Sequence, residues 1–212
     1  MTISRRDILG LSSLLLVGCG SRASRRDAGA ATLAPTPYVE DDDGPPPAPL
    51  DTESCGGATA SNIEGPFYKA GAPHRAVLVG DTDRGERLVI AGTVLTTGCE
   101  PVAGAELDVW HADARGGYDN DGFHLRGKLV TDDKGRYELR TIVPGRYLNG
   151  DTYRPAHVHI KLRAAGRRTL TTQLYFAGDP YNDSDPFIVE SLIMQTKQLR
   201  GMKRATFDFV LG

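Results

Sequence analysis

From about residue 53 to residue 212, apolar and polar positions alternate over short runs, the period expected of strands with one buried face. The candidate strands are Arg87–Leu95, Ala105–His111, Arg126–Thr131, Tyr137–Val143, His157–Leu162, Leu170–Phe176 and Ala205–Leu211. In the last of these, Ala205, Phe207, Phe209 and Leu211 share one face, and Thr206, Asp208 and Val210 the other. Asp132-Asp133-Lys134-Gly135 reads as a compact hairpin turn. Phe187–Leu199 fits a helix and a strand equally well. Short strands at this spacing, with no strand–helix–strand rhythm, predict an all-β fold over residues 53–212: an antiparallel β-sandwich with long loops and little helix.

The first 52 residues follow a different pattern. A basic start with Arg5 and Arg6 leads into a short apolar run ending Leu16-Val17-Gly18-Cys19. That arrangement reads as a secretory signal over residues 1–19. The run is too short to cross a hydrocarbon core, which takes about 20 apolar residues. Leu-Val-Gly-Cys resembles the lipobox of bacterial lipoproteins, which implies cleavage before Cys19 and acylation of its thiol. Ser4-Arg5-Arg6-Asp7-Ile8-Leu9 resembles the twin-arginine export signal, with Ile8 in place of the usual Phe. Both the twin-arginine and the general secretory route stay open. Residues 20–52 are rich in Ala, Arg and Asp, then acidic at Asp41–Asp43, then proline-rich from Pro45 to Pro49. Such a segment buries too little apolar surface to offset its ordering entropy, and it reads as a disordered tether. The expectation is an exported lipoprotein on the periplasmic or cell-surface side, touching the membrane only through its N-terminal lipid.

Composition adds little: 40% hydrophobic and 25% charged residues are ordinary for a globular domain. A formal net charge of −2 gives no footprint for a nucleic-acid partner. Cysteine use is more informative. With Cys19 assigned to lipid, Cys55 and Cys99 remain. Export favours a disulfide between them, and two free thiols are the alternative.

His157-Val158-His159-Ile160-Lys161-Leu162 carries the first chemical signal. At period two the imidazoles of His157 and His159 share one face, which suits a metal needing two adjacent nitrogen ligands. Two polar residues on a solvated face would look the same. The surrounding motifs change the balance. Arg154-Pro155-Ala156 precedes the pair, and Pro144-Gly145-Arg146-Tyr147 lies ten residues upstream of His157. Earlier come Val109-Trp110-His111-Ala112-Asp113-Ala114-Arg115-Gly116-Gly117-Tyr118 and Thr131-Asp132-Asp133-Lys134-Gly135-Arg136-Tyr137. In this order, from Glu64-Gly65-Pro66-Phe67-Tyr68 to Asp179-Pro180, the chain resembles the intradiol ring-cleavage dioxygenases.

The resemblance implies one ferric iron per chain, held by Tyr118, Tyr147, His157 and His159. Taken alone, the two tyrosines would read as aromatics packed over glycine turns. Phenolates and neutral imidazoles suit a hard ferric ion and leave the site slightly positive, ready for a catecholate dianion. The resemblance further implies that a catechol binds through both oxygens and that Tyr147 leaves the metal and accepts a proton while Tyr118 stays. Ring cleavage between the hydroxyls by dioxygen would then give a muconate-type dicarboxylate. Arg154 matches the family's active-site arginine, and Gln173 fits either a substrate-pocket position or one that supports the pocket's residues from behind. His74, His111 and His124 match no ligand and are expected at the surface or in hydrogen bonds.

Three departures from the family's pattern bear on substrate and assembly. Tyr153 stands where Trp is frequent, the Tyr118–Arg126 segment is short, and the tether replaces a helical dimerisation region. A homo-oligomer is left open. Two other readings compete: a non-catalytic transthyretin-like or ligand-binding sandwich, and a zinc hydrolase built on His157, His159 and His124.

Overall fold

The computed structural model describes residues 55–212, so the signal segment, Cys19 and the tether lie outside the described residues. Twelve strands are present among those residues. They are β1 (Arg87–Thr96), β2 (Glu106–His111), β3 (Arg126–Val130), β4 (Arg136–Ile142), β5 (Tyr147–Asn149) and β6 (Thr152–Arg154), followed by β7 (His157–Arg163), β8 (Leu170–Phe176), β9 (Ile193–Met194), β10 (Thr196–Leu199), β11 (Met202–Thr206) and β12 (Phe209–Leu211). Two single-turn 3-10 helices, Asn182–Ser184 and Glu190–Leu192, are the only helical segments among the described residues.

The strands form two five-stranded sheets and a separate β5–β6 hairpin. In the first sheet β4 lies on one side of β1, and β11 and β12 follow each other along the other side, with β10 outside β11. The second runs β3-β2-β7-β8-β9. One apolar core draws on both, including Leu88, Ile90 and Val94 of β1, Leu139 of β4, Val109 of β2, and Val158, Ile160 and Leu162 of β7. Burying each such side chain contributes roughly 1.5–3 kcal/mol. This shared core makes the fold a sandwich.

The sheets are mixed rather than purely antiparallel. The pairs β1–β11, β1–β12 and β8–β9 are parallel. Parallel partners need a long connection, and residues 177–192 supply one between β8 and β9. The expected single strand Ala205–Leu211 is also divided. A Cβ on Gly92 would lie 1.9 Å from the Phe207 carbonyl oxygen, so the two backbones approach too closely there for ordinary pairing. Asp208 Oδ1 accepts the Thr93 amide at 2.6 Å instead. The register is the same on both sides of the break, which preserves the alternation of Ala205, Phe209 and Leu211 into the core. The ambiguous Phe187–Leu199 segment resolves into a 3-10 turn and two short strands.

His111 points between the sheets. Its Nε2 lies 2.6 Å from Thr141 Oγ1 on β4 and its Nδ1 2.7 Å from the Ala112 carbonyl. Burial pushes its pKa down to about 4, so it is a neutral core group. Cys55 and Cys99 form a disulfide with Cα atoms 5.4 Å apart, closing a separation of 44 residues between the start of the domain and the β1–β2 turn. Opening that loop should cost about 2–4 kcal/mol, because the crosslink restricts the unfolded chain. Denaturant titration with and without a reductant measures it directly.

Candidate metal centre and active site

On β7 the residues alternate: Val158, Ile160 and Leu162 enter the core, while His157 and His159 stand on the outer face of the second sheet. An outer face is normally wet, yet these imidazoles are 2% and 1% exposed. Loops cover them. Phe67 and Gly65 come from the segment preceding β1, Tyr118 from the β2–β3 loop, and Tyr147 from the β5–β6 hairpin. The register places Trp110, His159 and Gln173 side by side across β2, β7 and β8, with Tyr175 opposite His157.

Tyr118 is brought to the histidines by a loop with specific local causes. Asp113 Oδ1 accepts the amides of Arg115 and Gly117, and its carbonyl accepts those of Gly116 and Gly145. Asp113 thus ties the Tyr118 loop to the turn before Tyr147. The two segments touch at glycine. A Cβ on Gly116, which has φ +89°, would lie 2.3 Å from the Arg146 carbonyl oxygen, and no other residue fits there.

The polar atoms converge. Tyr118 Oη lies 3.4 Å from His157 Nε2 and 3.2 Å from His159 Nε2. The Tyr147 ring sits 5.7 Å from that of Tyr118 and 5.6 Å from that of His157, centroid to centroid. His157 Nδ1 is 2.7 Å from the Pro155 carbonyl, which can only accept. The proton is therefore on Nδ1, and the Nε2 lone pair faces Tyr118. Burial, then the nearby Arg154 charge, pushes the His157 pKa down to about 4, and burial holds His159 well below its usual range. Both imidazoles are therefore neutral, with the protonation a metal ligand needs. His159 is set by stacking, with Trp110 parallel at 4.8 Å and Gly65 against its other atoms. Burial, with Tyr147 beside it, raises the Tyr118 phenol far above its ordinary pKa, so only a highly charged cation at this point would draw off its proton.

Arg154 closes the far side. Its Nη2 donates to Asp185 Oδ2 at 2.8 Å and Gln173 Oε1 at 3.1 Å, and Nε also reaches Asp185 at 3.0 Å. Nη2 also reaches Tyr175 Oη at 3.3 Å. Burial opposes its charge, but Asp185 and Tyr147 outweigh that and hold it protonated. Gln173 spends its amide on the Ile63 carbonyl at 2.8 Å, so both of its polar ends are engaged and it acts on the site by orienting Arg154. A cavity of about 250 Å3 opens beside Arg154, between the β5–β6 hairpin and residues 184–187.

Comparison with known proteins decides what this arrangement belongs to. The sequence profile of a family described as Dioxygenase matches residues 63–212. A chlorocatechol 1,2-dioxygenase of Pseudomonas putida is 38% identical over 178 residues, covering 72% of this chain and 68% of that protein. The chain belongs to the intradiol ring-cleavage dioxygenase family. Two further relatives are matched over a smaller share of their length. This chain spans 61% of a Rhodococcus opacus chlorocatechol 1,2-dioxygenase, at 39% identity over 61% of its own length. It spans 49% of an Acinetobacter baylyi catechol 1,2-dioxygenase, at 35% identity over 60% of its own length. Among solved structures, the dioxygenase domain of a carbohydrate-binding fusion protein from Streptomyces sp. SirexAA-E matches with TM-score 0.70 and 41% identity. That match covers 73% of this chain and 98% of the domain.

For an intradiol dioxygenase the donor set fits ferric iron: two neutral imidazoles and two phenols, with both imidazole Nε2 atoms within 3.4 Å of Tyr118 Oη. Zinc fits less well. His124 is turned away to Asp83 at 2.8 Å, and no group of three or more His, Cys, Asp or Glu residues is placed to share a metal among the described residues. His74 is exposed. Sequence reading did not single out Asp185, Tyr175, Phe67 or Trp110. Asp185 sits just before Pro186 in a polar run whose turn character hides its buried role, and the aromatics carry no spacing signal of their own.

Proposed function

We propose that this chain is a ferric-iron enzyme that cleaves catechol-type rings between their two hydroxyls, placing both atoms of dioxygen in a muconate-type dicarboxylate. The observation that carries this reading is the buried convergence of Tyr118 with His157 and His159, with Tyr147 alongside. Relatives named for catechol, chlorocatechol and hydroxyquinol support the substrate class. Tyr118, Tyr147, His157 and His159 would hold the iron. When bound, the ferric ion would act as a Lewis acid that draws electron density from the diphenol and opens it to dioxygen.

The chain's own residues then have distinct tasks. His157 and His159 are buried, neutral and fixed by the Pro155 carbonyl and the Trp110 ring, so they anchor without moving. Tyr118 lies against the Phe67 ring, on the loop that Asp113 braces, and stays in place. Tyr147 is on a short hairpin, and on substrate binding it turns away and takes a proton from a diphenol hydroxyl. The protonated Arg154 lies where negative charge develops on the ring and stabilises it. Asp185 and Gln173 hold that guanidinium in position.

The test is product analysis. Iron-loaded protein given catechol and isotopically labelled dioxygen should yield a ring-opened dicarboxylate carrying both labelled atoms. A product opened beside the hydroxyl pair, with an aldehyde end, would contradict the assignment.

The N-terminal segment supports a second proposal, that the protein is exported and anchored by lipid on Cys19. Cys19→Ala should release it from the membrane fraction. Retention of that variant after a high-salt wash would mean another anchor.

A further inference from the structure

Arg126 opens β3 and is 1% exposed, yet it has no carboxylate partner among the described residues. Its Nε donates to the Asp119 carbonyl at 2.9 Å and its Nη1 to the Phe67 carbonyl at 2.6 Å. Nη2 is buried with no partner at all. Asp119 might have served as counter-ion, but its carboxylate is turned to the loop's own amides at Asp121, Gly122 and His124. A buried guanidinium with no ion-pair partner is costly to hold in the folded state. Two carbonyl contacts are a poor return unless the charge itself is used.

The two carbonyls are informative. Asp119 directly follows Tyr118, and the Phe67 ring stacks on the Tyr118 ring at 4.2 Å and 14°. One side chain therefore fixes both Tyr118 and its cover. The register carries Arg126 further toward the centre. Arg126 lies opposite Trp110, Trp110 opposite His159 and His159 opposite Gln173, giving one row across the sheet. At about 4.8 Å between strands, Arg126 stands roughly 10 Å from His159 on that row. Gln173, at the other end, bears Arg154, whose charge Asp185 neutralises. Arg126, by contrast, has no carboxylate in contact, and only the more distant charges of Asp119 and Asp108 offset its own.

We infer that Arg126 is a positioning residue for Tyr118: its fork sets the phenol and the Phe67 cover together, and its unpaired charge supports the Tyr118 phenolate when iron is bound. The inference rests on the ferric reading above. Loss of the fork should loosen the metal, and loss of the charge should raise the energy of the phenolate electrons. The latter moves a tyrosinate-to-iron absorption band to longer wavelength.

Arg126→Met removes fork and charge; Arg126→Lys keeps the charge and loses the fork. Each purified variant is compared with the parent for metal-free Tm, ferric-iron affinity and band position. Both variants should bind iron about 10- to 100-fold more weakly, the range seen when a ligand's supporting partner is lost. Only Arg126→Met should shift its band. A folded Arg126→Met with the parent's affinity and band overturns the inference, as does one that loses Tm alone. Should Arg126→Met fail to fold, Arg126→Lys decides: weaker iron with an unmoved band supports the inference, and parental affinity overturns it. A colourless iron-loaded parent sinks the ferric reading and this inference together. A coloured parent indifferent to Arg126 sinks the inference alone.

Discussion

His157→Ala and His159→Ala are each expected to leave a folded protein that holds almost no iron and opens no catechol ring. Each imidazole presents its Nε2 to Tyr118 Oη from a strand whose opposite face is core, so neither can be replaced by a shift of the chain. Water filling the space would supply a weaker donor and would wet a centre that now excludes it. The loss in metal affinity should exceed the roughly 10–100-fold that follows removal of a supporting partner. Fold and metal can be separated, because Val158, Ile160 and Leu162 still bury the other face of β7. Metal analysis together with far-ultraviolet circular dichroism distinguishes an empty site from a lost domain. Full iron content in either variant would remove that histidine from the ligand set.

Asp185→Ala should be the most destabilising single change outside the core. The Asp185 side chain is 0% exposed and its Oδ2 takes two donors from Arg154, itself buried. Removing one member of a buried pair leaves the other charge without compensation, at a cost of about 3–5 kcal/mol. The variant also frees Arg154 from one of the groups that aim it, so turnover should fall even where the protein remains folded. Asp185→Asn keeps an acceptor and should recover part of the stability and less of the rate. Chemical denaturation measures the first effect and steady-state kinetics the second. A stability loss under about 1 kcal/mol, the size of an exposed pair, would show that Arg154 finds another partner.

Much of the fold was legible from alternation because the sandwich buries one face of each principal strand. The limits of β2, β7 and β8 came close to the expected ones for that reason. What escaped was set by contacts between distant segments. The parallel seam between β1 and the last strands depends on register between chain ends. The break at Phe207–Asp208 comes from the close approach of Gly92, which no local pattern announces. The site divides similarly. A histidine pair at period two announces a shared face, but not that loops will seal it. Tyr118 and Tyr147 are ordinary turn aromatics until the order of motifs around them is considered. Asp185 and Arg126 are charged residues whose local sequence gives no sign of burial, which follows only from the segments that close over them.

The proposed centre has two tyrosines and two histidines holding ferric iron, with Tyr118 retained and Tyr147 released on substrate binding. Visible absorption of the iron-loaded protein, before and after anaerobic addition of a catechol, tests it most directly when Tyr118→Phe and Tyr147→Phe are measured beside the parent. The parent should be coloured by tyrosinate-to-iron absorption, and the catechol should change that spectrum. Tyr147→Phe should keep most of its iron and a tyrosinate band while losing turnover, whereas Tyr118→Phe should lose iron. A parent whose bound iron shows no tyrosinate band, or a Tyr147→Phe that loses all metal while Tyr118→Phe turns over normally, would contradict it.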